Sequence, residues 1–260
     1  MPDTIVKKPR RGIYLLPNLF TTACLFSGFY AVISATNGAY ENAALAIFVA
    51  MVMDGLDGRV ARMTNTATEF GVQYDSLADM VSFGVAPGLV MWLWALQDMG
   101  KVGWLVAFIY TAGAALRLAR FNTQVKVQDK RFFQGLPSPA AAALVAGAVG
   151  LGTQYDVVGS DYSLILALIT AAAGFLMVSN FRFYSFKELD IKGKVPFVVL
   201  LGAVLLFVFI SIEPTTVLFS IFLIYAASGP IVTIAGLRKR RAERRAAQAG
   251  GEGDELGKDD

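Results

Sequence analysis

The 260-residue chain has no histidine, and that absence removes several kinds of chemistry at once. Ser-His-Asp hydrolysis, zinc sites built on imidazole, and phosphodiester exchange through a phosphohistidine all need a ring nitrogen that is missing here. Cysteine is almost as scarce: the single residue, Cys24, lies in an apolar run, so neither a disulfide nor a thiolate metal cluster can form within the chain. Charge is sparse as well, 17% of residues against 55% hydrophobic. Acid–base or metal chemistry therefore falls to Asp, Glu, Lys, Arg or Tyr.

What the sequence has in abundance is apolar length. Runs near the ~20 residues that cross a bilayer recur at 13–35, 40–63, 73–96, 102–121, 137–153, 162–181, 195–212 and 215–237. This pattern predicts an all-α polytopic membrane bundle of about eight transmembrane helices rather than a soluble domain. The first run follows mostly polar residues and has full spanning length, so it is expected to remain as a helix rather than be cleaved as a signal peptide. Lys and Arg gather before the first run (Lys7, Lys8, Arg10, Arg11), around the loops after the fourth and sixth, and after the last (Arg238 to Arg245). With an even number of spans all of these share one side. The other side carries Glu41, Asp98, Asp156, Asp161 and Glu213, with Lys101. Because cytoplasmic loops concentrate Lys and Arg, both termini are expected in the cytoplasm, with the chain embedded in the cell membrane. The formal net charge of +3 thus reports topology, not nucleic-acid binding. The expected organisation is a basic arm at 1–12, a catalytic core at 13–182, a C-terminal membrane pair at 183–237, and a basic then acidic tail at 238–260 that is disordered.

Four carboxylates stand inside two neighbouring apolar stretches: Asp54 and Asp57 in the second, Asp75 and Asp79 in the third. An ionisable group at membrane depth costs several kcal/mol and is retained where it does chemistry or moves ions. Asp54, Asp57/Gly58 and Ala61 follow helical periodicity, as do Gly71, Asp75 and Asp79, so each helix offers one acidic stripe. In an antiparallel hairpin Asp54 faces Asp79 and Asp57 faces Asp75, one turn apart. Four unshielded negative charges in so small a volume need protons or cations to compensate them. An all-oxygen carboxylate site suits hard divalent ions, two Mg²⁺ or Mn²⁺. Gly58, Ala61 and Gly71 leave room for close helix approach or for a ligand, and Arg62 at the mouth is placed to meet phosphate. Metal ions beside an arginine describe a diphosphate site. An ion pathway is the alternative use of intramembrane carboxylates, although here the acids are confined to one hairpin.

The string Asp54-x2-Asp57-Gly58-x2-Ala61-Arg62-x8-Gly71-x3-Asp75-x3-Asp79 resembles the full signature of the CDP-alcohol phosphotransferase family. The resemblance implies divalent-cation-dependent transfer of a phosphatidyl or related group from a CDP-linked donor to an alcohol. By position it implies that Asp54, Asp57 and Asp75 bind metal, and that Asp79 binds the second metal and acts as general base. Gly58, Ala61, Arg62 and Gly71 would hold the CDP moiety, with Thr68 in the turn and Asn18 and Thr21 on the first helix beside it. Four further stretches, around Leu16-Pro17-Asn18, Arg117-x2-Arg120-Phe-Asn122, Gly135-Leu-Pro137-Ser138-Pro139 and Ser179-Asn180-Phe-Arg182, are similar to those of the membrane-embedded phosphatidylserine synthase branch. That branch implies CDP-diacylglycerol as donor, L-serine as acceptor and a homodimer. Serine brings a carboxylate and an ammonium, for which Arg117, Arg120, Asn122, Ser138 and Arg182 are candidate partners. Arginines at helix ends also anchor in headgroups, and siblings that use glycerol phosphate or inositol phosphate would share every signature residue.

Overall fold

A computed structural model describes residues 15–64, 66, 68–124, 132–184 and 197–255. The architecture is all-α, as the apolar runs predict. Helix α1 is Leu15–Thr36, α2 is Tyr40–Thr64, and α3 is the continuous helical run Glu69–Met99. They are followed by α4 (Lys101–Gln124), α5 (Ser138–Gln154), α6 (Ser163–Val178, entered by a 3₁₀ turn), α7 (Phe197–Ile212) and α8 (Pro214–Glu255). Helices dominate because lipid offers no partner for free N–H and C=O groups, and a helix satisfies them within its own segment.

Five of these helical segments are long and apolar enough to cross a bilayer: Leu16–Thr36, Glu69–Met99, Lys101–Thr123, Gly159–Val178 and Pro214–Ala235. The protein is a membrane protein. Helix α2 has the length, at 25 residues, but carries Glu41, Asp54, Asp57, Arg59 and Arg62. Helices α5 and α7, with 17 and 16 residues, fall short of spanning length. Apolar side chains point outward along α1 (Leu19, Phe26, Phe29, Ile33), α4 (Val102, Trp104, Leu105, Phe108) and α6 (Leu164, Ile165, Leu168, Phe175), as a lipid-facing surface requires.

The interior is built from small residues. Helix α5 is buried on almost every side through Ala140 to Gly150, and it packs against α2 and α8. Helix α4 lies along α6 with backbones nearly touching: a Cβ on Gly113 would stand 2.5 Å from the Gly174 carbonyl oxygen. Such close approach maximises dispersion contacts where no hydrophobic effect drives helices together. Helix α1 runs against α2 and also touches α3, which brings it over the acidic hairpin.

Two features depart from expectation. A short antiparallel ladder pairs β1 (Phe132–Gln134) with β2 (Arg182–Tyr184), in register Phe133↔Phe183, and ties the segment before α5 to the segment after α6. Gly135 follows β1 with φ of 79°, a left-handed conformation that glycine adopts freely. The second departure concerns the tail, which is not disordered from 238 on: α8 continues to Glu255. Residues 238–249, rich in Arg and Ala, carry high helix propensity, and a helix already nucleated in the bundle extends at little cost. The basic arm at 1–12 and residues 256–260 lie outside the described residues.

Candidate active site: an aspartate cluster between two helices

The site begins at the turn between α2 and α3. Thr68, in extended conformation, caps α3 by accepting a hydrogen bond from the Gly71 N–H at 3.0 Å. This sets the start of α3, and hence the phase at which Asp75 and Asp79 leave it. The two acidic stripes then meet. Carboxylate oxygens of Asp54, Asp57 and Asp75 all lie within 4.8 Å of one another. Asp79, one turn along α3, stands outside this trio, with Asp54 and then Asp75 as its strongest acidic neighbours. The expected facing pairs are thus brought together as a trio with one outlying member.

The trio is supported from α1. Thr21, 3% exposed, donates its hydroxyl to Asp57 Oδ2 at 2.8 Å, with the Pro17 carbonyl at 3.1 Å as a second acceptor. Thr21 therefore bonds a candidate metal ligand. Asn18, one turn before it, sits differently: its Oδ1 is 3.6 Å from where a Gly71 Cβ would be, and Thr68 Oγ1 is 3.2 Å from the same point. Asn18, Thr68 and Gly71 thus converge, although they come from two helices and a turn. The Arg62 guanidinium lies over Gly58, 3.6 Å from the position of an added Cβ, while its side chain is exposed at the end of α2. Ala61, half-buried, lies next to it in the chain.

The candidates for the acceptor pocket divide. Arg117 on α4 enters the bundle, donates from Nη1 to Ser138 Oγ at 2.9 Å, and has Asp79 as its strongest electrostatic partner. Arg120 points to the end of α6, with Nη1 3.2 Å from Asn180 Oδ1. Asn122 donates from Nδ2 to Ser76 Oγ at 3.0 Å, which ties α4 to the residue after Asp75. Arg182 pairs through its backbone with Gln134, and its side chain lies outside the described residues. Sequence reasoning missed two neighbours. Ser76 carries no pattern of its own, and Tyr225 arrives from α8 beside Arg117, packed on Phe183 with ring centroids 5.6 Å apart. No local periodicity links position 225 to position 117.

The donor set fits a hard divalent cation. All of its ligand atoms are carboxylate oxygens, converging from two helices. Among the described side chains three buried polar atoms lack a hydrogen-bond partner, and two of them, Asp79 Oδ1 and Arg117 Nε, belong to this site. Each such buried group calls for an explanation, and an ion or ligand bound at this locus is one.

Comparison with known proteins agrees with this chemistry. The family model described as CDP-alcohol phosphatidyltransferase matches residues 14–178, from α1 to the end of α6. A CDP-diacylglycerol–serine O-phosphatidyltransferase of Helicobacter pylori is 38% identical over 218 residues, covering 84% of this chain and 91% of the relative. Its namesake in Mycobacterium tuberculosis is 34% identical, covering 68% of this chain and 64% of the relative. A third, in Bacillus subtilis, is 32% identical and covers 66% of this chain and 92% of the relative. Since the family model spans more than half of the chain and the aspartates it encloses meet in space, the chain belongs to the CDP-alcohol phosphatidyltransferase family.

Proposed function

We propose that this protein transfers the phosphatidyl group of CDP-diacylglycerol to the hydroxyl of L-serine, releasing CMP and leaving phosphatidylserine in the bilayer. The observation that carries this reading is the convergence of Asp54, Asp57 and Asp75 beside the partnerless Asp79 Oδ1, in a chain whose relatives bear that activity in their names.

Asp79 Oδ1 accepts the serine hydroxyl proton as the serine oxygen attacks the phosphorus that bears diacylglycerol. A bond forms between serine oxygen and that phosphorus, and the bond from phosphorus to the bridging oxygen of CMP breaks. Two divalent cations, Mg²⁺ or Mn²⁺, held by Asp54, Asp57, Asp75 and Asp79, would supply charge neutralisation of the diphosphate. Arg62, over Gly58, holds the outer phosphate oxygens with its planar fork. Gly71, Thr68 and Asn18 line the nucleotide side. Arg117 offers a guanidinium next to Asp79, so a serine carboxylate bound there brings its hydroxyl to the base. Arg120, Asn122 and Ser138 complete the acceptor side, with Arg182 added as a candidate from the sequence alone. The active site and both termini face the cytoplasm of the cell membrane, where Lys and Arg concentrate, and the protein works as a homodimer. Residues 13–182 form the catalytic core, and 183–237 are an added membrane pair.

Purified protein given CDP-diacylglycerol, Mn²⁺ or Mg²⁺, and competing alcohols tests the reading through CMP release. L-serine should outcompete glycerol phosphate and inositol phosphate. Preference for a phosphorylated alcohol would remove serine and leave the family intact. Ion flux without CMP release would support a carboxylate transporter instead.

A further inference from the structure

Helix α3 does not continue in regular α-helical form past Asp79. Met80–Val85 winds as a π-helix, in which the Ala86 N–H donates to the Val81 carbonyl five residues back. One sequence feature within reach of this segment is residue 87, a proline, which has no N–H and crowds the carbonyl four residues before it, that of Phe83. In a regular helix the Phe83 carbonyl takes its hydrogen bond from residue 87. With proline there, that bond cannot form.

The neighbouring helix supplies the missing donor. Tyr110 on α4, fully buried, donates its hydroxyl to the Phe83 carbonyl at 2.9 Å. From the other side Ser82 Oγ donates to the Cys24 carbonyl of α1 at 3.0 Å, and Gly28 leaves room for that approach, since a Cβ there would collide with Ser82. The π segment is clamped between α1 and α4. Gly88 allows the clamp to close, because a Cβ on it would stand 2.9 Å from Thr111 Oγ1.

A π turn absorbs one extra residue, so it offsets the helix before it from the helix after it by about 100°. Asp79 is the last residue before the offset. Ahead of it the stripe Gly71, Asp75 and Asp79 belongs to the acidic site. Behind it Phe83, Ala86 and Val90 are wholly buried in the core.

We propose that Tyr110 is a positioning residue for catalysis: by holding the π turn that Pro87 opens, its hydroxyl sets the direction in which Asp79 meets the substrate. This rests on the reading of Asp79 as the general base. Tyr110→Phe removes the donor and keeps the ring. CMP release per folded enzyme should fall about 10- to 100-fold in kcat, the scale of a small misplacement of a reacting group, while KM for CDP-diacylglycerol changes little. Pro87→Ala restores an N–H for the Phe83 carbonyl, so in that background Tyr110→Phe should cost little more. Val149→Ala, a core truncation elsewhere, should lower the melting temperature with kcat retained. The proposal is overturned if Tyr110→Phe keeps wild-type kcat, if its loss is equally large in the Pro87→Ala background, or if the loss only tracks melting temperature as Val149→Ala does. Asp79→Asn assayed alongside separates the two readings. If it retains turnover, the base assignment fails and the positioning role with it; if it is inactive while Tyr110→Phe is not, only the positioning role fails.

Discussion

Replacing Thr21 by valine isolates one hydrogen bond at the centre of the site. The side chain is 3% exposed and its hydroxyl reaches Asp57 Oδ2 at 2.8 Å, while Asp57 is itself 5% exposed. Valine has almost the same shape, so packing is kept and only the donor is lost. A hydrogen bond to a charged group contributes about 1.5–3 kcal/mol, which at ~1.4 kcal/mol per decade is roughly a 10- to 150-fold change in an equilibrium constant. Removing a support from a metal-ligating carboxylate has a similar typical cost, ~10–100-fold in metal affinity. The expected result is a Mn²⁺ requirement raised about 10-fold or more, with a smaller loss of kcat once the metal saturates. The assay is CMP release titrated with Mn²⁺ after chelation, alongside direct detection of free Mn²⁺ by electron paramagnetic resonance. Thr21→Ser keeps the hydroxyl and should stay near wild type. The reasoning is refuted if the Thr21→Val titration superimposes on wild type, or if valine and serine shift it equally, since serine keeps the hydroxyl and its loss would then not account for the shift.

Asp79→Asn should lower kcat by at least the ~10²–10⁴-fold typical of a lost general base while sparing much of the CDP-diacylglycerol binding, whereas Asp54→Asn should damage both; donor affinity measured with Mn²⁺ present, beside kcat, separates them. Arg62→Lys should weaken donor binding by about 1–3 kcal/mol, because an ammonium cannot reproduce the forked contact with diphosphate oxygens, and an unchanged KM for CDP-diacylglycerol would count against Arg62 as a phosphate ligand. Gly113→Ala places a methyl 2.5 Å from the Gly174 carbonyl oxygen, so α4 and α6 must separate, and thermal unfolding in detergent should show a loss of about 1–3 kcal/mol.

Much of the acidic site was legible because its geometry is local. Asp54, Asp57, Asp75 and Asp79 lie within 26 consecutive residues, on two helices joined by one turn, so helical periodicity and distance from the turn bring them together without knowledge of anything else. Thr68 is expected from sequence only as a turn residue beside the nucleotide; that it caps α3 by accepting from the Gly71 N–H is decided by the fold. Composition alone points to a disordered tail, whereas in the structure α8, already ordered in the bundle, runs onward to Glu255.

Local sequence is enough to specify a helical membrane protein with an oxygen-only acidic site, because a span satisfies its backbone within one segment and a window of residues suffices to recognise it. A proline at 87 likewise leaves the Phe83 carbonyl of a helix without its usual donor, since proline lacks an N–H wherever it stands. Which side chains answer these needs depends on the packed fold: Thr21 bonds Asp57 across 36 residues, Tyr110 bonds Phe83 across 27, and Arg117 bonds Ser138 across 21. Those pairings depend on how each helix is rotated about its own axis and how closely it approaches its neighbours. Rotation and approach are set by small-residue contacts such as Gly113 on Gly174 and Gly28 on Ser82, which no single stretch of sequence contains.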